Sequence, residues 1–374
     1  MRPTLKPGLA RVWLDPEHLQ LGLGPRRRVH RLDGADRRLL EALDGTRDTD
    51  ALVSYGARLG LPRERTLGLL ERLAVDGALD DAALPTPGLA RLPVAERARL
   101  APVVSALGLR NRLPGGGARA LERRAQQHAV VHGLGLIGAQ VARQLAAAGV
   151  GLVRPIDPGQ AEAADTGPGG LDPAAAGRRR QDAVTRAIQR QTPAARVAPA
   201  PHVRPDLVVL APHERYPVEQ LDQLLGAGVP HLTVRAAGDA ALVGPLVLPG
   251  RTPCVRCADL RLAADDPGWP RYLAKLGPVR PGELPPLDTP LALLAVAYAV
   301  LYALSFLDGD EPPILGAVLR LEPEGGVPER TRLAPHPSCA CGAAGAEGGR
   351  TGRRDHGGAP DAAGPGRLCP GLPA

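Results

Sequence analysis

The 374-residue sequence predicts an α/β protein, in which a Rossmann-like parallel sheet with helices on both faces follows a small winged-helix-like α+β domain. Three observations carry this. The apolar run Ala129-Val130-Val131 enters a Gly133-Leu-Gly135-Leu-Ile-Gly138 turn and then an alanine-rich helix reaching Ala148. Strand and helix patterns then alternate, and two cysteine pairs, Cys254/Cys257 and Cys339/Cys341, bracket the end of that alternation.

Before the glycine turn, residues 10–32 alternate apolar and polar side chains around breaks at Asp15-Pro16 and Gly22 to Pro25, which predicts two or three short strands. Helical spacing follows at Leu39, Leu40 and Leu43, at Leu52, Val53 and Leu59, and at Leu67, Leu69, Leu70 and Leu73, each run ending near Gly45, Gly60 or Gly77. Strands followed by three short helices predict a winged-helix-like module over residues 1–84. Residues 85–127 are rich in Pro, Gly and Arg, with candidate helices at 93–107 and 118–127 around Pro114-Gly115-Gly116-Gly117, and read as a connector. The predicted α/β domain spans 128–341, with strands at 151–156, 206–210 and 231–234 and a helix at 218–225. Residues 342–374 collapse into Gly, Ala, Arg and Pro and read as a disordered tail that includes Cys369.

Composition narrows the function classes. A 44% hydrophobic content supports real cores, but aromatics make up 2%, so those cores are built from Leu, Val and Ala. The net charge is +7, yet only Lys6 and Lys275 among 46 basic residues are lysines. An arginine bias spread over the surface explains this better than a nucleic-acid footprint. Met1 to Pro7 lacks a signal-peptide pattern, and a cytoplasmic location is expected. The apolar run Leu291 to Leu307, 17 residues between Pro290 and Asp308, is shorter than the roughly 20 of a membrane span and reads as a core or dimer-interface helix.

Chemistry concentrates in two motifs. Glycines at 133, 135 and 138 allow a tight turn and close approach of backbone amides to phosphate at a helix N-terminus. Asp157 follows the last of them by 19 residues at a predicted strand end, where it can accept from ribose hydroxyls. A glycine-rich turn that no longer binds a nucleotide has the same sequence. The four cysteines Cys254, Cys257, Cys339 and Cys341 have the spacing of one tetrahedral zinc site, which four protein ligands would close to catalysis. His132 and His213 beside predicted strands, like Trp13 and Trp269, read as structural groups.

The ordered set GLGLIG, Ala148-Gly149-Val150-Gly151, Asp157 and the two cysteine pairs resembles the ThiF/MoeB/HesA superfamily, related to ubiquitin-activating enzymes, over residues 128–341. The resemblance implies ATP- and magnesium-dependent adenylation of the C-terminal carboxylate of a small carrier protein. The family's adenylation motifs degrade here. Gly159 stands at the second Asp of its D-x-D, and no N-x-x-R-Q precedes Gly177. Its lysine position falls on Arg180, the catalytic candidate if the site is active, and its later Asp on His213. No cysteine lies between 258 and 338, which disfavours thioester transfer.

The stretches Gly244 to Cys257, Asp266 to Pro270 and His336-Pro337 look like ThiF-like proteins of thiazole/oxazole-modified peptide biosynthesis. That resemblance implies that residues 1–84 are a PqqD-like domain binding a precursor leader peptide, and that the degenerate body presents the peptide to a YcaO-type cyclodehydratase. It also implies a homodimer. Three functions stay open at this point: the leader-binding scaffold, an active adenylyltransferase, and a DNA-binding winged helix using Arg26, Arg27, Arg28 and Arg31.

Overall fold

The computed structural model describes residues 1–23, 27–167, 169–197, 203–212, 218–275, 287–324 and 326–346. The expected roles of Arg26, His213 and Cys369 fall outside the described residues. Two compact units divide between Ala125 and Gln126.

The first unit begins with strand β1 (Pro3–Leu5), followed by β2 (Arg11–Trp13), β3 (His18–Leu21) and β4 (Arg28–Arg31). Helices α1 (Gly34–Glu41), α2 (Thr49–Arg58) and α3 (Arg63–Val75) come next, and β5 (Leu79–Asp81) returns to pair antiparallel with β1. The three helices begin where capping chemistry allows. Asp33 accepts from Ala35 and Asp36 amides while Asp36 answers the Asp33 amide, Asp48 caps α2, and Pro62 precedes α3. Their leucines, with Leu19 and Leu21 of β3, form one core.

β2, β3 and β4 make a separate antiparallel meander in which Trp13, Leu19 and His30 share the inner face, while Val12, Gln20 and Val29 share the outer one. Val12 and Val29 are exposed.

The segment expected as a connector carries α4 (Pro87–Ala90), α5 (Val94–Arg110) and α6 (Gly116–Arg124). The glycine run that reads as a break has a packing role instead. A Cβ at Gly117 would strike the carbonyl of Val104 and the backbone of Gly108, so the glycine lets α6 lie against α5. The C-terminal end of α5 is tied to β1: the buried Lys6 ammonium donates to the carbonyls of Gly108 (2.8 Å) and Asn111 (2.5 Å).

The second unit starts with β6 (His128–His132), α7 (Leu136–Ala147), β7 (Leu152–Ile156), α8 (Arg180–Gln191), β8 (Leu207–Leu210), α9 (Val218–Gly226) and β9 (His231–Ala237). β6, β7, β8 and β9 are parallel, as the strand and helix rhythm predicts. The sheet then departs from the all-parallel expectation. A two-residue turn at Gly238-Asp239 folds β10 (Ala240–Val247) back along β9, and after α10 (Val255–Asp265), α11 (Trp269–Lys275) and α12 (Thr289–Leu307) come antiparallel β11 (Ala317–Leu321) and β12 (Glu329–Arg332). The order is β12-β11-β10-β9-β8-β6-β7, and the last helix is α13 (Ala343–Ala346).

Helix α12 packs on α7, β9 and β10, burying Ala292, Ala295, Ala299 and Ala303 with Leu291, Val296 and Leu307. Alanines at this spacing let it approach the sheet closely. It is long and apolar enough to cross a membrane by composition, but this face is committed to the core.

The face of the sheet beneath α9 carries His128, His132 and His231 among Val130, Val208 and Leu210. Burial lowers the pKa of His128 and His231 below the usual imidazole value and that of His132 to about 4. Above about pH 6.5 all three are neutral in folded and unfolded chains alike. As the pH falls below that, the unfolded chain binds protons the folded unit refuses, so stability drops progressively toward pH 4. Thermal unfolding followed from pH 7.5 to 4 should show this loss, and His132→Gln should make the slope shallower.

Candidate nucleotide turn and cysteine cluster

β6 lies between β7 and β8, so the turn after it sits at the point where the chain's crossovers change direction, the usual place for a ligand in an open α/β sheet. Gly133 has φ +80°, and a Cβ there would strike the Ala211 carbonyl just past β8. A Cβ at Gly138 would strike the Gly133 carbonyl. Those two glycines are therefore fixed by backbone approach within the fold. Gly135 is the extended N-cap residue of α7 and makes no side-chain cap bond.

Asp157 follows β7 and is buried against this turn. Its Oδ2 accepts from the Leu134 amide at 2.6 Å and its Oδ1 from the Gly159 amide at 2.7 Å. The sequence reading that places Asp157 beside the glycine turn matches this geometry. The carboxylate also has a structural role, because these two bonds pin the turn.

Arg180, the first residue of α8, is buried beside it. Its Nε donates to Asp165 Oδ2 at 2.7 Å, while Nη1 lies 3.8 Å from Asp157 Oδ1 and Nη2 3.8 Å from Glu162 Oε1. Asp165 is itself 2% exposed. The guanidinium is thus enclosed by three carboxylates, and its strongest bond points away from the glycine turn. A side chain at Gly159 would press on this group, because its Cβ would stand 2.7 Å from Arg180 Nη1 and 3.0 Å from Asp157 Oδ1. Asp165 and Glu162 escape a reading of the sequence. Their spacing marks only a short capped turn at 163–165, and their pairing with Arg180 spans a loop.

Two glutamines complete the surroundings. Gln140 Nε2 and Arg143 Nη1 both donate to the Gly170 carbonyl, holding that residue against α7. Gln220 of α9 lies 2.7 Å from His132 Nδ1, one residue before the turn. Trp13 packs on the first unit's core with Arg37 stacked 4.7 Å over its ring, and Trp269 sits 5.2 Å from the Tyr272 ring.

The four cysteines converge. Cys254 is the N-cap of α10 and Cys257 lies in its first turn, while Cys339 and Cys341 follow β12. All four are buried, their sulfurs lie within 4.8 Å of one another, and the Cys254–Cys339 and Cys257–Cys341 Sγ distances are 3.6 and 3.4 Å. Disulfides need about 2.05 Å, whereas sulfurs around a tetrahedral zinc at about 2.3 Å stand roughly 3.8 Å apart. Contact with Cys257 and burial push the Cys254 thiol up, while contact with Cys254 pulls Cys257 down. A Gly250 amide to Cys341 carbonyl bond of 2.9 Å joins the two turns that carry the pairs. The donor set and its geometry fit one soft divalent cation.

No family model matches the chain, and no curated protein matches it in sequence. Solved structures do. A structure of E. coli MccB with AMPCPP and MccA superposes with a TM-score of 0.66 at 14% identity, covering 91% of this chain and 99% of that one. MccB in complex with N-formylated MccA gives 0.65 at 15% identity over the same shares, and PaaA gives 0.65 at 17%, covering 87% and 98%. At such identities the likeness is one of fold, and the chain has the ThiF-like fold that MccB and PaaA share.

Proposed function

We propose that this protein is a peptide-binding member of the ThiF-like group, whose N-terminal unit takes an extended precursor leader peptide and whose α/β unit presents it to a YcaO-type cyclodehydratase in the cytoplasm. The observation that carries the reading is the free-standing β2-β3-β4 meander: β2 and β4 are both edge strands among the described residues. An added strand gains main-chain hydrogen bonds there, and its alternate side chains meet Val12 and Val29. MccB, of the same fold, has been crystallised with the peptide MccA.

The glycine turn supports a scaffold more than a catalyst. Adenylation needs magnesium ligands and a mobile cation near the phosphates. Here Gly159 stands at one expected ligand position, and Arg180, the cation at the expected lysine position, is bonded to Asp165. A second reading, ATP-dependent adenylation of a carrier protein, is favoured by the crystallisation of MccB with ATP and by the placement of Asp157 at the turn. On that reading bound ATP would supply the adenylyl group, Gly133, Gly135 and Gly138 would admit its phosphates, and Asp157 would orient its ribose.

The four cysteines would hold a structural zinc, and the outward face of α12, with Leu293, Leu294 and Leu301 exposed, would close a homodimer. Freshly purified protein should carry about one zinc per chain, and Cys254→Ser should lower the unfolding temperature along with metal content. Absence of metal in protein never exposed to chelator would reject the zinc site. Light scattering at micromolar concentration should report a dimer, which Leu294→Glu and Leu301→Glu together convert to monomer.

The leading reading itself predicts leader-peptide binding that disappears when residues 1–125 are removed, together with no ATP/pyrophosphate exchange above background. Exchange that depends on Asp157 and survives in Arg180→Lys but not Arg180→Ala would establish the adenylyltransferase instead.

A further inference from the structure

We infer that the peptide taken by the first unit is acidic: an extended segment in which Asp or Glu alternates with apolar residues. The inference rests on the sheet-edge docking proposed above and adds the chemistry of the partner.

It starts from where the charge lies. Residues 1–125 hold 22 basic and 15 acidic side chains, while the remainder of the chain holds 24 of each, so the whole excess of +7 belongs to the first unit. An arginine-biased composition alone would spread that excess over both units.

The carboxylates of the first unit are largely used inside it. Asp33 and Asp48 cap helices, and the buried Asp36 bonds Arg65 at 2.7 Å. Asp76 holds Arg28 and His30. Asp80 accepts the Gly115 amide, Asp81 accepts the Arg2 and Ala83 amides, and Glu96 pairs with Arg99. Asp50, Glu64 and Glu71 are exposed on helices α2 and α3, but the meander edges are cationic. Arg11 on β2 and Arg27 just before β4 are exposed and have no ion pair among the described residues, and Arg31 shares only the exposed Glu17. The meander therefore presents arginines at both edges and a neutral Val12-Gln20-Val29 row between them.

That surface suits an added strand whose side chains alternate. At the β2 edge, where Arg11 and Val12 face opposite sides of the sheet, apolar residues on one side of the strand lie toward Val12 while carboxylates on the other reach Arg11; at the β4 edge Arg27 and Arg31 lie on the Val29 side and add to the positive field. Nucleic acid fits it less well. Bases need exposed rings to stack on, but Trp13 faces inward with Leu19, and Tyr55 is covered by Arg47 and Arg58. Edge arginines also discourage two sheets from pairing with each other, which is compatible with admitting an oppositely charged strand.

The test measures binding of the full chain to three synthetic peptides of equal length, alternating Val with Glu, Val with Lys, or Val with Ser, and to a single-stranded oligonucleotide. The Glu peptide should bind about tenfold or more tighter than the Lys peptide at low salt, with the margin shrinking as salt screens it. Arg11→Glu with Arg27→Glu should reverse the order while circular dichroism stays unchanged. Equal or tighter binding of the Lys peptide overturns the charge inference but leaves sheet-edge docking standing. If none of the three peptides binds, sheet-edge docking itself fails and takes the inference with it. An oligonucleotide that outcompetes the Glu peptide overturns the inference in favour of nucleic acid.

Discussion

The Asp157 carboxylate joins the architecture of the larger unit to its chemistry. It closes β7, receives the amide of Leu134 from the glycine turn after β6, and stands beside Arg180 at the start of α8. Three consecutive crossings of the chain are thereby locked at one buried charge. Removing one partner from such a cluster strands the others, at a cost of roughly 3–5 kcal/mol, which gives these residues a reason to persist whether or not a nucleotide binds. The turn's own glycines point the same way, because Gly133 and Gly138 are demanded by the carbonyls of Ala211 and Gly133 rather than by a phosphate. A fold of this kind can lose its chemistry and keep its fingerprint.

That distinction governs how function divides between the units on the proposed reading. The α/β unit contributes rigidity: a sheet extended to seven strands, a helix α12 sunk into its face, and a loop pinned by Gln140 and Arg143. Recognition falls to the short meander of the first unit, whose β2 and β4 have no second neighbouring strand among the described residues. Its strands are only three or four residues long, and on that reading a paired peptide would extend the sheet they form.

What can be read from the sequence follows from periodicity and from spacing. The β6-turn-α7-β7 unit, the three helices of the first unit and the four cysteines all announce themselves within a few residues. Strands β1 and β5 do not, because three residues hold no period and their pairing joins positions 3–5 to 79–81. β10 is buried at every position, so it shows none of the alternation that marks a strand with one wet face. The glycines at 115–117 read as a linker because chain flexibility and helix close-packing favour the same residue. Arg180 stands out by its place in a motif, yet its controlling partners, Asp165 and Glu162, sit in an irregular loop that no motif describes.

Helix α9 explains why the cysteine cluster matters beyond the turns it joins. Leu225 packs against the cluster, Leu221 and Leu224 pack on β6 and β8, Asp222 accepts from Arg256 beside Cys257 at 2.7 and 2.9 Å, and Gln220 meets His132 next to the glycine turn. The cysteines also bring Cys254 and Cys257 against Cys339 and Cys341, closing a long stretch of chain that includes the apolar helix α12. Four buried thiols alone do this poorly, since they offer only weak hydrogen bonds, whereas a shared cation would fix all four at once and with them the seat of α9. Helix α9 thus carries Leu225 against the cysteine cluster and Gln220 against His132, the residue before the glycine turn, so its seat is shared by both.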